Sequence, residues 1–337
     1  MSFPYLLSVR LMVFNHEAYI REAIEGILMQ KTTFPIEVVV GDDFSTDNSL
    51  NIIREYKNTS NIHFKILERK SGDDYWQKRQ KIGRLHNFYD ILKHCTGKYI
   101  ALLDGDDFWT DSSKLQKQVD FLENNLDFST CFHNMIISKN PKSSEVELTN
   151  TTNQESVSSI LDLAEKGNFM FTASVVFRKL STPYPEWLSE LKIGDYPIHL
   201  YHAQFGKIKY LNQVMGAYRV HESGAWGVIS REKQYEKWIP TLHEMGNKFS
   251  DDVNKALRIQ KLYAILDVYF ISFKNKDKKK ATEAMDLLME VNPFFMALKL
   301  TEVQNRLDKT LNSKAYKLGT FLIKIFTNPI QFFKNKK

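Results

Sequence analysis

The stretch that decides the fold reads YIALLDGDD and occupies residues 99–107. Its apolar run, Tyr99–Leu103, is followed by three aspartates within four positions. A second stretch, IEVVVGDDFSTD at residues 36–47, repeats this order of apolar run, glycine and aspartates. Short apolar runs with hardly a polar residue are typical of strands that are covered on both faces, as in a parallel sheet.

Helical patterns separate the apolar runs over the first ~135 residues. The expected strands are Leu6–Phe14, Ile36–Val40, Ile62–Leu67, Tyr99–Leu103 and Phe128–Asn134. The expected helices between them are Ala18–Gln30, Ser45–Tyr56, Arg84–Lys93 and Lys114–Asn124, with Ser45 and Thr46 as N-cap residues. Alternating strands and helices predict an α/β fold with a mostly parallel sheet between helices.

The remainder of the chain is less regular until it becomes helical. Residues 138–159 are polar and without periodicity, which predicts a long surface loop or a mobile insertion. A helix is expected from Asp195, followed by two short strands, Lys207–Leu211 and Val214–Val220. From about Ser230 onward the pattern is helical.

Composition places the chain among ordinary globular proteins. It has 337 residues, of which 43% are hydrophobic and 26% charged, with a net charge of +6. Two cysteines are too few for a disulfide framework or a thiolate zinc site. No secretory signal pattern and no apolar run of spanning length is present, so we expect a cytoplasmic protein that is soluble or held peripherally on a membrane.

The two clusters of aspartates follow strands, at the edge of an open α/β sheet where ligands bind. Adjacent carboxylates repel one another unless water or a cation screens them, and their hard oxygens suit Mg²⁺ or Mn²⁺. An alternative is that they only form turns and helix caps. The sequence has neither a P-loop nor a Gly-x-Gly-x-x-Gly fingerprint nor a Gly-x-Ser-x-Gly elbow. We therefore predict a site for a metal and a phosphate group.

Three motifs together carry a resemblance to a known family. Phe14-Asn15 after the first strand, DDFSTD at residues 42–47 and LDGDD at residues 103–107 occur in the order found in family-2 glycosyltransferases. The resemblance covers about residues 5–225. It implies the GT-A fold, a Rossmann-like sheet between helices, and an inverting enzyme that uses nucleotide sugars, in a bacterial surface polysaccharide setting.

For the nucleoside, the resemblance implies that Met12 and Phe14 line the base and that Asp43 hydrogen-bonds it. Arg84 lies where many relatives carry an arginine near the donor. Alternatives are that Phe14 packs in the core and that Arg84 is a solvated residue at a helix start. Arg10 stands in the first strand where relatives have an apolar residue, and the sequence assigns it no role.

For the diphosphate, the resemblance implies that Asp104 and Asp106 hold Mn²⁺ or Mg²⁺. Asp107 beside them contacts the metal or the sugar. His221 follows a Tyr-Arg segment that closes over the donor in relatives, so it is expected at the diphosphate or the metal. The alternative for His221 is a loop anchor.

The resemblance makes Asp195 the general base. A sugar hydroxyl is a poor nucleophile, so a positioned carboxylate must take its proton during attack. The alternative is that Asp195 only caps its helix. His199 and His202 lie on the same helical face, at i+4 and i+7, where they either complete a metal site or, as such histidines more often do, pack structurally.

The resemblance and the composition together predict a division at residue 228. Residues 1–228 form the GT-A domain, with a nucleotide-binding half at 1–110 and an acceptor half at 111–228. Residues 229–337 form a helical extension. Its end, residues 318–337, mixes apolar and aromatic residues with lysines, so it is either an interfacial membrane helix or a helix docked on the protein.

The predicted function is a metal-dependent inverting transfer from a nucleotide sugar, most often UDP-linked, to a glycan or lipid-linked acceptor, with contact to the inner membrane surface. Nucleic acid is not an expected partner, because the basic residues form no module with exposed aromatics. Two rivals stay open. One is a metal-dependent nucleotidyl or phosphoryl transferase, and the other is a non-catalytic relative that binds nucleotide sugars.

Overall fold

The computed structural model describes residues 4–139, 147–151, 153–224, 226 and 229–291. The chain forms two compact units, one that ends at Lys261 and one that begins at Leu262. The functional division expected at residue 228 stays a prediction. No helix among the described residues is long and apolar enough to cross a membrane. The expected interfacial segment, residues 318–337, lies outside the described residues.

Ten strands form one mixed sheet within the described residues. They are β1 (Leu7–Val13), β2 (Ile36–Asp42), β3 (Ile62–Ile66), β4 (Tyr99–Asp104), β5 (Phe108–Trp109), β6 (Phe128–Ser138), β7 (Glu147–Leu148), β8 (Val157–Ser158), β9 (Val176–Arg178) and β10 (Lys207–Arg219). Their order is β3-β2-β1-β4-β9-β6-β10-β5, with β7 added to β6 and β8 to β10.

The helices are α1 (Ile20–Leu28), α2 (Ser49–Glu55), α3 (Asp74–Ile82), α4 (Leu85–His94), α5 (Lys114–Asn124), α6 (Ile160–Lys166), α7 (Asp195–Ala203), α8 (Arg231–Met245), α9 (Asp251–Lys274) and α10 (Lys278–Val291). Short 3-10 turns lie at Thr172–Ser174 and Glu186–Glu190. The helical character expected after Ser230 is confirmed for the described residues. The α/β fold with its mostly parallel sheet between helices is confirmed as well.

Four neighbouring strands, β3, β2, β1 and β4, run parallel. Met12 lies between Gly41 on β2 and Asp104 on β4 in the register. The two acidic clusters therefore begin on either side of the end of β1. The strand order reverses at β1, and such a point leaves a crevice beyond the carboxyl ends of the strands.

Alternate residues of β1 face two separate cores. Leu7, Val9, Leu11 and Val13 lie in the core on one side of the sheet, which also buries residues of α1, α2 and α5. The core on the other side buries residues of α4, α6, α7 and α8. Arg10 has the opposite parity and places its guanidinium over the Phe88 ring of α4. Both faces of the strand are covered, as its apolar sequence predicts.

The structure differs from the elements expected from the sequence in three places. The two strands expected at Lys207–Leu211 and Val214–Val220 are one strand, β10, whose register opposite β6 shifts between Leu211 and Val214. Because irregular pairing bends a strand without ending it, the polar interruption is accommodated within the sheet. Of the expected loop at 138–159, residues 140–146 and 152 lie outside the described residues, and the described part contains the short strands β7 and β8. Helix α3 was not expected.

The second acidic segment forms a longer turn than the sequence suggested. Helix α2 begins at Ser49 with Asn48 as its N-cap residue, not at Ser45 or Thr46. The Ser45 hydroxyl donates to Asp42 (2.5 Å), and the Thr46 backbone N–H donates to Asn15 (2.8 Å). These bonds hold residues 42–46 against the end of β1 instead of within the helix.

Candidate active site

The Asp-Gly-Asp-Asp turn closes over the end of β1. The Gly105 N–H donates to the Met12 carbonyl (2.8 Å), and the Asp107 N–H donates to the Asp104 carbonyl (3.0 Å). A Cβ on Gly105 would lie 2.9 Å from His16 Nδ1 and 2.9 Å from Ile20 Cδ1. A side chain at this position would therefore push the turn away from α1.

Asp106 lies between two histidines. Its Oδ2 is 3.1 Å from His221 Nε2 and 3.6 Å from His16 Nε2. Burial alone would raise the pKa of this carboxyl, but the hydrogen bond from His221 and the charge of His16 lower it. The structure thus brings together Asp106 and His221 as expected. His16, two residues beyond Phe14, was not singled out in the sequence because a lone histidine carries little signal.

Asp107 makes a contact with β10 that the sequence did not predict. Its Oδ1 accepts the backbone N–H of Arg219 at the end of β10 (2.9 Å). The Arg219 Nε donates to the Asp106 carbonyl (3.0 Å). Burial and the neighbouring charge of Asp106 raise the pKa of Asp107 well above its usual value. Asp107 therefore ties the acidic turn to β10.

Asp104 is paired with a buried arginine. Arg10 Nη1 donates to Asp104 Oδ1 at 2.8 Å, and the two side chains are 0% and 22% exposed. The guanidinium carbon lies 4.3 Å from the centroid of the Phe88 ring. Burial and the charge of Asp106 raise the pKa of Asp104, and Arg10 opposes that shift. Arg10, which the sequence left without a role, neutralises the first acid of the Asp-x-Asp pair.

The carboxylate and imidazole side chains of this site fit a divalent cation that binds together with a diphosphate. Among the described residues, no group of three or more His, Cys, Asp or Glu side chains is arranged to hold a metal by itself. Mg²⁺ is commonly bound through one or two carboxylates plus the phosphates of a substrate. The carboxylate of Asp106, with the His221 imidazole beside it, offers such a partial set.

Asp43 is held by two residues of α3. Tyr75 Oη donates to its Oδ1 (2.8 Å), and Arg79 Nη2 lies 3.0 Å from Oδ2. The two residues are one turn apart and share a face of the helix. The Asp43 N–H donates to the Val13 carbonyl (2.9 Å), which fixes the carboxylate beside the end of β1. Helix α3 could not be predicted from the sequence, because its nine mostly polar residues carry no apolar stripe.

Phe14 and Arg84 meet at the same edge. The Phe14 side chain is 37% exposed, which does not fit the alternative of core packing. The guanidinium of Arg84 lies 5.9 Å from the centroid of its ring. Met12 is partly buried and packs against the core on the α4 side. An accessible ring directly after β1, whose last residue Val13 accepts the Asp43 N–H, offers a surface on which a planar base can stack.

Asp195 is the first residue of α7, and Gly194 is the N-cap residue. Its Oδ2 accepts from Asn168 Nδ2 at 3.0 Å. Burial raises the pKa of Asp195, the Tyr196 N–H lowers it, and the charge of Asp104 raises it further. The structure therefore brings Asp195 within electrostatic reach of the acidic turn, although the two lie far apart in sequence.

The histidines after Asp195 make structural contacts. His199 Nδ1 lies 3.1 Å from Asn168 Oδ1, and His202 Nε2 lies 3.0 Å from the Tyr184 hydroxyl. His202 also stacks on Phe177. Burial lowers the pKa of both histidines to about 3, so both are neutral. This geometry is that of the packing alternative, not of a metal site.

Comparison with known proteins agrees with these motifs. Residues 8–181 match the family model described as Glycosyl transferase family 2. The chain is 36% identical over 222 residues to Rv1520 of Mycobacterium tuberculosis, a match that covers 65% of this chain and 60% of that protein. It thus spans less than two thirds of that relative.

Solved structures share the fold at low identity. The Staphylococcus aureus protein TarS (residues 1–349), in complex with UDP-GlcNAc, is 19% identical with a TM-score of 0.58 and covers 85% of this chain and 81% of its own. The mannosyltransferase PcManGT of Pyrobaculum calidifontis, in complex with GDP-Man and Mn²⁺, is 15% identical with a TM-score of 0.53, covering 100% of this chain and 89% of its own.

The ordered motifs, the sheet and these matches define a protein of the GT-A class. The family match covers just over half of the chain. The chain belongs to glycosyl transferase family 2.

Proposed function

We propose that this protein is a metal-dependent inverting glycosyltransferase. It moves a sugar from a nucleotide diphosphate, with UDP as the favoured carrier, to a hydroxyl of a glycan or lipid-linked acceptor in surface polysaccharide synthesis. Its place of action is the cytoplasm or the cytoplasmic face of the membrane. The observation that carries the proposal is Asp195, the first residue of α7, whose carboxylate is held by Asn168 and has a pKa raised by burial and by the charge of Asp104. The UDP-GlcNAc complex of a structural neighbour supports the choice of UDP.

The donor is assigned to the crevice around the end of β1. Met12, Phe14, Asp43 and Arg84 take the nucleoside, and Asp106 and Asp107 take the diphosphate and sugar. The exposed Phe14 ring beside Arg84 supports the first assignment.

Mn²⁺ or Mg²⁺ is assigned to Asp104, Asp106 and His221. The lowered pKa of Asp106 supports this, because an ionised carboxylate is the form that binds a cation. Because Oδ1 of Asp104 accepts a hydrogen bond from Arg10, its Oδ2 is the oxygen assigned to the cation. A bound cation would supply the positive charge that stabilises a departing diphosphate.

The reaction is a single displacement. The acceptor oxygen attacks the anomeric carbon while Asp195 takes the proton of that hydroxyl. The bond from the anomeric carbon to the diphosphate oxygen breaks on the opposite face, and its electron pair leaves with the nucleoside diphosphate. The configuration inverts and no sugar is bound covalently to the protein. A raised pKa suits Asp195 to this task, because a base works best when its pKa lies near the operating pH.

The test measures nucleoside diphosphate release from UDP-glucose, UDP-galactose, UDP-GlcNAc and GDP-mannose, each with Mn²⁺ and with water as the acceptor of the sugar. Asp195→Asn should lower turnover by at least about 100-fold, the usual contribution of a general base. Its affinity for UDP, measured by calorimetry with Mn²⁺, should be unchanged. Asp106→Ala should lose the Mn²⁺-dependent part of UDP binding. The matched control is Asp162→Asn, which removes another first-turn aspartate, on α6.

Three results would contradict the proposal. Normal turnover in Asp195→Asn would remove the base. Release of a sugar 1-phosphate in place of nucleoside diphosphate would favour the rival nucleotidyl transferase, because that reaction breaks the bond between the two phosphates. Binding of UDP without turnover of any donor in the wild-type protein would favour the non-catalytic relative.

A further inference from the structure

Asn168 bridges two residues that are one turn apart on α7. Its Nδ2 lies 3.0 Å from Asp195 Oδ2, and its Oδ1 lies 3.1 Å from His199 Nδ1. The same Oδ1 accepts the backbone N–H of Met170 (3.4 Å). Asn168 lies outside any helix or strand, just after Gly167, which ends α6 with a φ of +84°. A loop residue therefore spans the face of α7 that carries the proposed base.

When Asp195 is ionised, the form in which it can act as a base, the hydrogen-bond donors and acceptors of these three side chains allow only one arrangement. An ionised carboxylate accepts hydrogen bonds and has none to donate, so Asn168 must turn its NH₂ group toward Asp195. Its carbonyl oxygen then faces His199, which must donate from Nδ1. The N–H of Met170 points to the same oxygen and supports this orientation. Hydrogen bonds thus run from His199 to Asn168 and from Asn168 to Asp195.

His199 is suited to hold the amide and not to carry charge. It is fully buried, and burial together with the nearby charge of Arg10 lowers its pKa to about 3. A neutral imidazole with a proton on Nδ1 has a bare Nε2, and that atom has no hydrogen-bond partner among the described residues. His199 therefore keeps one tautomer, because the other would place two acceptors, Nδ1 and Oδ1, against each other.

We propose that Asn168 is a positioning residue that fixes the carboxylate of Asp195 for proton abstraction, and that His199 in turn fixes the amide of Asn168. The proposal rests on the proposed role of Asp195 as general base. Asn168 occupies one oxygen of Asp195 and so restricts the orientation of the carboxylate that the proposal assigns to the acceptor. When a hydrogen bond that orients a catalytic group is removed, turnover falls even though the substrate still binds.

The competing explanation is that Asn168 only anchors its loop, and the chain offers a matched control for it. Asn150 is a buried asparagine whose Nδ2 donates to the carbonyl of Phe169, the residue next to Asn168 (2.9 Å). It anchors the same segment, and none of its hydrogen bonds reaches α7. Asn150→Ala therefore reports the consequence of loosening the loop alone.

The experiment compares kcat for nucleoside diphosphate release, using the best donor of the panel with water as acceptor, against the Kd for UDP with Mn²⁺. Asn168→Ala should lower kcat by about 10- to 100-fold, the range that misplacement of a reacting group produces. Its Kd for UDP should stay within about twofold of wild type, a change too small to signal lost binding energy. Asn150→Ala should keep the kcat of wild type even where it lowers the unfolding temperature.

Substitution of His199 tests the same proposal independently, and it can be used even if Asn168→Ala does not fold. His199→Gln retains a side-chain N–H that can donate to Asn168 and should keep most of the turnover. His199→Phe keeps the volume without a donor and should lose turnover as Asn168→Ala does, at unchanged Kd for UDP.

The outcomes separate this proposal from the proposed function. The positioning role is overturned if Asn168→Ala keeps the kcat of wild type, or if Asn150→Ala loses as much kcat as Asn168→Ala does. In either case an inactive Asp195→Asn still supports Asp195 as the general base. An active Asp195→Asn overturns both. Equal turnover in His199→Gln and His199→Phe overturns the part assigned to His199.

Discussion

Replacing Arg10 with methionine tests how the buried ion pair contributes to stability. Arg10 is fully buried, and its Nη1 is 2.8 Å from Asp104 Oδ1. Methionine fills most of the volume of the aliphatic stem but leaves Asp104 without its cation. The charge of Asp104 is then uncompensated next to Asp106, and neutralising it by a proton also costs free energy, because Arg10 no longer opposes the raised pKa of that carboxyl. We expect the folded state to lose stability for that reason.

The size of the loss follows from the burial of the pair. Removing one partner of a buried ion pair costs about 3–5 kcal/mol. Asp104 is 22% exposed, so water stabilises part of its charge and the lower end of that range, about 3 kcal/mol, applies. The loss of the guanidinium over Phe88, 4.3 Å from the ring centroid, adds about 1 kcal/mol. Arg10→Met should therefore lose about 3–4 kcal/mol.

The assay is urea unfolding followed by tryptophan fluorescence. All five tryptophans precede Lys261, so the signal reports the unit that contains the ion pair. The matched control is the double variant Arg10→Met with Asp104→Asn, which removes the charge that was left alone and should recover more than half of the loss. A loss below about 1 kcal/mol, typical of exposed pairs, would refute the reasoning, as would a double variant no more stable than Arg10→Met.

Two further predictions concern buried groups. The Lys114 Nζ has no hydrogen-bond partner among the described residues, and burial lowers its pKa to about 7. Between that pH and about 10 the unfolded lysine binds more protons than the folded one, so stability should rise with pH by up to about 1.4 kcal/mol per unit. In Lys114→Met this increase of stability with pH should be absent, and the stability at pH 8 should be higher than that of wild type. Urea unfolding of both proteins at pH 7.5, 8.5 and 9.5 measures the difference. The same dependence of the unfolding free energy on pH in both proteins would contradict the prediction. Burial raises the pKa of Cys95 and Cys131 to about 12, so neither thiol should react with Ellman's reagent at pH 8 until the protein is unfolded in guanidinium. Labelling of the native protein would contradict their burial.

The local patterns of the sequence determined the strands and the edge where the acids gather. Apolar runs such as Tyr99–Leu103 become buried on both faces of a parallel sheet, and this depends only on the character of neighbouring residues. The acids after β2 and β4 lie at the same edge, on either side of β1, because the three strands run parallel. The expectation of one acidic site was therefore available before any contact was known.

The partners of the acids were decided by the tertiary structure. Asp104 is neutralised by Arg10, 94 positions away, and Asp195 is held by Asn168, 27 positions away. No periodicity or short motif encodes such pairs, because they depend on which faces of the sheet and helices meet. The burial that raises the pKa of Asp195 likewise arises only when α7 packs against the sheet. The sequence determined which residue types reach the site, and packing determined their contacts and charge states.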